Sequence, residues 1–149
     1  MAEIIVLGVV LSIIFYELTD ISPGGIIVPG IMVLYISQPI KIVYTIVVAL
    51  LSYLIVNLMS RKFIVFGKRR FALHILVAFL LHFIVNLILG LFAKDFTFIS
   101  LSLVGYTVSG IIANNAQKQG AVKTVASLVI ITGLLALIVI LLSALGVVL

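Results

Sequence analysis

Between Ser22 and Pro39 the chain reads S-P-G-G-I-I-V-P-G-I-M-V-L-Y-I-S-Q-P, strongly apolar yet interrupted by glycine and proline. That combination does not suit an ordinary membrane-spanning helix. As one straight helix, Gly25 to Ser37 reaches only about 20 Å, against a hydrocarbon core of about 30 Å. Pro29 removes a backbone donor from its middle, and Gly24, Gly25 and Gly30 add backbone freedom around it. The pattern returns further along. Gly25-x-x-Val28-Pro29-Gly30-Ile31 aligns without a gap on Gly105-x-x-Val108-Ser109-Gly110-Ile111. A long apolar span precedes each copy, and a glutamine-containing polar turn and another apolar span follow it. Interrupted hydrophobic segments at matching places in two halves point to the functional centre of a membrane protein.

Composition sets the solvent. Hydrophobic residues make up 65% of the 149 and charged residues 9%, against roughly 25% charged in soluble domains. A soluble core of this length cannot hide so much apolar surface, so lipid must cover much of it. The expected fold is an all-α integral membrane protein, one transmembrane domain over 1–149. It is read as two inverted repeats of about three hydrophobic segments each, over about 1–60 and 71–149, with a Gly/Pro-broken helix in each half and a basic loop, 61–70, between them. There is no cysteine, which excludes disulfides and thiolate metal sites. The net charge of +5 invites a nucleic-acid reading, but the cations gather at span ends, as membrane anchoring requires. No nucleic-acid partner is expected. No cleavable signal peptide is expected either, since Glu3 stands where a basic residue belongs.

Ile4 to Leu18 reads as the first span, with Gly8, Ser12 and Tyr16 on one helical face. Glu17 and Asp20 close it at the interface. Ile40 to Met59 is a full-length span carrying Ser52 and Asn57, and it runs into Arg61, Lys62, Lys68, Arg69 and Arg70. Phe71 to Phe92 is the next span, where His74, Ala78, His82 and Asn86 recur every fourth residue as a polar-to-small stripe. His74 and His82 lie about 12 Å apart along a helix, too far to share one metal. No metal site is expected; the stripe reads as a bundle-facing hydrogen-bonding face, with a proton or substrate path as the alternative. Phe96 to Ala113 holds the second broken segment, and Asn114 to Gly120 reads as a polar turn before a last span, Thr124 to Leu149.

Charge separates two threadings. If the broken segments only dip into the membrane, four spans result, with five basic residues inside and four outside. If they cross, six crossings result and the two halves are inverted. Arg61, Lys62, Lys68, Arg69, Arg70, Lys118 and Lys123 then lie inside, with only Lys41 and Lys94 outside. The second obeys the positive-inside rule better, and it places Glu17 and Asp20 at the inner face.

At Val28-Pro29-Gly30, Gln38-Pro39 and Ile111-Ile112-Ala113-Asn114 through Lys118-Gln119-Gly120 the chain resembles the PgsC/CapC family, the small membrane subunit of bacterial poly-γ-glutamate (capsule) synthesis. The resemblance covers essentially the whole chain, and I-A-N-x-x-Q-K-Q-G is its most specific part. Ser109 departs from it, standing where a second proline is expected. The resemblance implies a subunit of a complex in the bacterial cell membrane. Its partners would be a cytosolic ATP-dependent amide ligase, a further membrane-associated subunit and the anionic polymer, and it admits association of several copies of this chain. ATP and magnesium are then expected in the ligase. This chain has no G-x-x-x-x-G-K-[ST] and no magnesium-binding carboxylate cluster among its four acids. No cofactor is expected in it.

The expected role is to hold the ligase at the membrane and to help form the path of the polymer, whose carboxylates lipid excludes. Gly25, Pro29, Gly30, Gly105, Ser109 and Gly110 at the helix breaks, with His74, His82 and Asn86, are the candidate lining of that path. Arg61, Lys62, Lys68, Arg69 and Arg70, with Asn114, Gln117, Lys118 and Gln119, are the candidate cytoplasmic contacts. The alternative is a self-sufficient small transporter of an anionic substrate. An intramembrane enzyme using His74 or His82 finds no nucleophile-base pairing in the sequence, and no catalytic residue is assigned.

Overall fold

A computed structural model of the chain describes residues 2–61, 67–92 and 103–144. Lys62, Lys94 and the first part, Phe96 to Ser102, of the stretch expected to hold the second broken segment lie outside the described residues. Among the described residues six helices carry the fold: α1 (Ala2–Thr19), α2 (Val28–Leu34), α3 (Pro39–Ser60), α4 (Lys68–Phe92), α5 (Leu103–Gln119) and α6 (Ala121–Ala144). No strand occurs among the described residues. Three of the helices, over Pro39–Ser60, Lys68–Ile88 and Ala121–Ala144, are long and apolar enough to cross a membrane.

Local chemistry sets the ends. Asp20 leaves α1 in the left-handed region, with φ 54, while its N–H donates to the Tyr16 carbonyl (2.8 Å), a common way to close a helix. Residues 20–27 are not helical, and Gly24 (φ 73) and Gly25 (φ 124) adopt backbone angles that other residues avoid. The first break therefore lies ahead of Pro29, not at it. Pro29 sits in the opening turn of α2, where its missing N–H is not needed. Pro39 opens α3 in the same way. Pro29→Ala is accordingly expected to cost less than about 1 kcal/mol, read as an almost unchanged melting temperature of the detergent-solubilised protein.

Three expectations are corrected in the second half. The helix does not break at Ser109-Gly110: α5 runs unbroken from Leu103 to Gln119. Serine keeps the backbone N–H that proline lacks, so the hydrogen-bond ladder passes through it. Asn114 to Gln119 is the end of α5 rather than a turn, and Gly120 alone (φ 99) links α5 to α6. Lys68, Arg69 and Arg70 belong to the first turn of α4, not to a loop.

The helices pack as two groups that exchange their last members. α1 and α2 pack together and against α6, while α4 and α5 pack together and against α3. α5 also packs on α6. Burial repeats between the halves. Ile4, Gly8 and Ser12 of α1 are spaced like His74, Ala78 and His82 of α4. Thr45, Val48, Ala49, Ser52 and Val56 of α3 are spaced like Thr124, Ser127, Leu128, Ile131 and Leu135 of α6. The central core joins Val28, Met32 and Ala49 to Val108, Ile112 and Leu128, and a second cluster joins Ile4, Val33, Leu135 and Ala136. Outward faces stay apolar, as at Val10, Leu54, Phe83 and Leu137, which suits a lipid surround.

Contacts between helices also sort the charges. The Ser22 backbone meets Gln119, and Gln117 meets Asn57. Hence Glu17, Asp20, Arg61, Lys68, Arg69, Arg70, Lys118 and Lys123 all stand at one end of the bundle, which we call the charged end. Lys41 stands at the other, with its ammonium 5.6 Å from the centre of the Tyr35 ring.

Candidate functional site

The polar stripe of α4 faces inward. His74 and His82 are both 0% exposed, in the group formed by α3, α4 and α5. Around His82 the rings of Tyr44 from α3 and Tyr106 from α5 stand edge-on, with centroids 5.0 Å and 4.6 Å away. Tyr106 also meets Phe79 edge-on at 5.5 Å. His82 Nε2 lies 3.3 Å from the Ser109 hydroxyl, which itself lies 3.0 Å from the Gly105 carbonyl and 3.4 Å from that of Thr45. Nδ1 and the Tyr44 hydroxyl are enclosed without a protein partner.

This histidine–serine contact does not make an acyl-transfer pair. No third group holds Nδ1, and both side chains are fully buried. Its role in this geometry is to satisfy a hydroxyl and one ring nitrogen between three helices. Among the described residues, no group of three or more His, Asp or Glu side chains could hold a metal.

Toward the charged end the stripe continues. The Ser52 hydroxyl donates to the His74 carbonyl at 3.0 Å, while both ring nitrogens of His74 are enclosed without a protein partner. One turn nearer that end, Arg70 is half-buried with its Nε enclosed. Gln117 donates through Nε2 to Asn57 Oδ1 at 3.1 Å and keeps Oε1 unpaired. Asn86, half-buried, lies one turn beyond His82 in the other direction.

The glycines have a different use. A Cβ on Gly30 would stand 3.0 Å from Ile5 Cα, one on Gly8 would stand 2.5 Å from Gly30 Cα, and one on Gly110 would stand 2.8 Å from Ile75 Cα. These are places where two helix backbones touch. Gly25 would meet the Ile111 side chain at 2.7 Å. Gly105 contributes its carbonyl to Ser109.

The candidate partner contacts divide. Arg61, Lys68, Arg69 and Lys118 are exposed at the charged end. Asn114 is buried. Gln119 is engaged inside the fold: its Oε1 accepts the Ser22 N–H at 2.9 Å, and its Nε2 donates to the Ser22 carbonyl and to Thr124 Oγ1. Ser127 adds a donor to the same carbonyl at 3.2 Å. This clamp holds the non-helical stretch ahead of α2. Tyr44 and Tyr106 carried no signal in the sequence, because they reach His82 from different helices and share no spacing with it.

The chain matches the family described as Capsule biosynthesis CapC over residues 7–125. It is 35% identical over 130 residues to the PGA biosynthesis protein CapC of Bacillus subtilis (strain 168), covering 87% of this chain and 86% of that protein. It is 33% identical over 140 residues to the Capsule biosynthesis protein CapC of Bacillus anthracis, covering 87% of this chain and 86% of that one. No solved structure gives a significant match. Coverage and identity of this order, over the same helices that build the buried stripe and the charged end, make the chain a member of the CapC capsule biosynthesis family.

Proposed function

We propose that this chain is a multi-pass membrane subunit of a poly-γ-glutamate synthase complex in the bacterial cell membrane. In this reading it seats a cytosolic ATP-dependent amide ligase, together with a further membrane-associated subunit, and helps form the path of the anionic product. The observation that carries it is the segregation of charge. Of the seven described basic residues, Arg61, Lys68, Arg69, Arg70, Lys118 and Lys123 stand at one end and only Lys41 at the other. Such an end faces the cytoplasm by the positive-inside rule. Its field also draws in a polymer with one carboxylate per residue. The relatives' names, which speak of PGA and capsule biosynthesis, support the same role.

The path is assigned to the polar group around α4, where Arg70, His74, His82 and Asn86 succeed one another from the charged end inward. The halves are read as inverted repeats with six crossings. The shared burial spacing supports that reading, and so does direction. Ser22 stands beside Gln119 at the charged end and Gly30 rests on Ile5 near the start of α1, so the chain runs away from the charged end through α2 while α5 runs toward it. Gly30 rests on Ile5 as Gly110 rests on Ile75.

Affinity capture from mild detergent tests the role. The tagged protein is expected to bring down an ATP-dependent ligase. A Lys118→Glu, Arg69→Glu double variant, exposed at both sites, is expected to recover it several-fold less well at unchanged membrane expression. If the purified protein in liposomes moves γ-glutamyl polymer unaided and captures no ligase, the self-sufficient transporter replaces this reading.

A further inference from the structure

Every acid among the described residues belongs to one helix: Glu3 and Glu17 lie in α1, and Asp20 directly follows it. That helix is also an outer one. α1 packs on α2 and α6, while α4 packs on α5 and α3, so α1 and α4 form opposite flanks of the bundle. At the charged end the two flanks carry opposite charge. α1 ends there on Glu17 and Asp20, and α4 begins there on Lys68 and Arg69, all four exposed. No ion pair joins either acid to a cation among the described residues.

Neither set of charges suits its own helix. A helix is partly negative at its C-terminus and partly positive at its N-terminus, yet the acids stand at the C-terminus of α1 and the cations in the first turn of α4. Each set is answered by what the other flank offers, a charge of opposite sign on a dipole of opposite sense. Lipid can serve the cations, but the anionic headgroups that do so repel Glu17 and Asp20. A second copy of this chain serves both. Copies inserted with one orientation hold their charged ends level, and α1 runs toward that end while α4 runs away from it.

The faces match as well. Opposite the buried Ile4, Gly8 and Ser12, α1 exposes Val10, Ile13 and Glu17. Opposite the buried His74, Ala78 and His82, α4 exposes Arg69, Ala72 and Leu76. Both triplets have the i, i+3, i+7 spacing of a helix-packing seam. Laid antiparallel, Glu17 meets Arg69, Ile13 meets Ala72 and Val10 meets Leu76.

We propose that copies of this protein associate side by side in the membrane, the α1 flank of one against the α4 flank of the next, with Glu17 on Arg69 at the charged end. The contact joins two different faces, so it closes as a ring or extends as a row.

The chain has no cysteine, so introduced cysteines report alone. Two differently tagged full-length chains, one with Ile13→Cys and one with Ala72→Cys, are co-expressed without a ligase, so that no ligase contact at Arg69 enters, and the membranes are oxidised. Mixed 13–72 dimers are expected, with neither 13–13 nor 72–72 dimers. Glu17→Arg in the first chain is expected to lower the mixed product about fivefold. Arg69→Glu in the second chain is expected to restore it, which a misfolded chain could not do. Absence of the mixed product, or 13–13 dimers in its place, overturns the arrangement and leaves the α1 flank to lipid or to another protein. A yield indifferent to Glu17→Arg overturns the charge pairing that carries it.

Discussion

Gly30→Leu is expected to be strongly damaging, lowering stability by about 3 kcal/mol. Any Cβ at Gly30 meets the Ile5 backbone, at 3.0 Å from Cα and 3.1 Å from the carbonyl oxygen. Backbone cannot swing aside as a side chain does, so α1 and α2 must part. Gly110→Leu is expected to act alike on α4 and α5, where a Cβ comes 2.8 Å from Ile75 Cα. Gly133→Leu is the control. Nothing stands within 4 Å of a Cβ there, and a change of no more than about 0.5 kcal/mol is expected. Thermal unfolding in one detergent compares the three. Equal melting temperatures for Gly30→Leu and Gly133→Leu would falsify the close helix contact.

The second large effect belongs to Gln119. Its amide satisfies both the N–H and the carbonyl of Ser22 and binds the Thr124 hydroxyl. In Gln119→Leu the Ser22 N–H is stranded in a part-buried place, a cost of about 2 kcal/mol. Residues 20–27 have no helical ladder of their own, so hydrogen exchange at Ser22 should rise by an order of magnitude or more, because about 1.4 kcal/mol is tenfold in the opening equilibrium. Gln119→Glu keeps the acceptor for the Ser22 N–H and loses the donors, and should fall between. Unchanged exchange at Ser22 in Gln119→Leu, accompanied by poor ligase capture, would make Gln119 a partner contact after all.

These two predictions show where the chain was legible in advance. Long apolar runs placed Ile40–Met59 and Phe71–Phe92 within three residues of the ends of α3 and α4, and the start of the last span, Thr124, within three of that of α6, whose expected end at Leu149 lies outside the described residues, because apolar length and terminal charge are linear properties. The every-fourth-residue stripe from His74 to His82 was legible for the same reason. Its residues share a face of one helix wherever that helix packs. The break expected at Ser109-Gly110 was not found, because a motif match with Pro29-Gly30 carries the glycine across but not the absent N–H that ends a ladder. Asn114 to Gln119 looked like a turn by its amides. The apolar positions Ile111, Ile112, Ala113 and Ala116 kept it helical, with Ile112, Ala113 and Ala116 buried.

By itself the sequence determined the all-helical class, the need for a lipid surround, the spans and the clustering of cations beside them, since each follows from local composition and period. Only the tertiary structure decided what those residues meet. It turned Gly30 and Gly110 from hinges into backbone contacts, drew Gln119 into a clamp on Ser22, and brought Tyr44, Tyr106 and Ser109 around His82. It also tied Gln117 of α5 to Asn57 of α3 at the charged end. Each of these depends on the relative register of helices far apart in the chain, and register is set by packing across the whole bundle rather than by any one stretch.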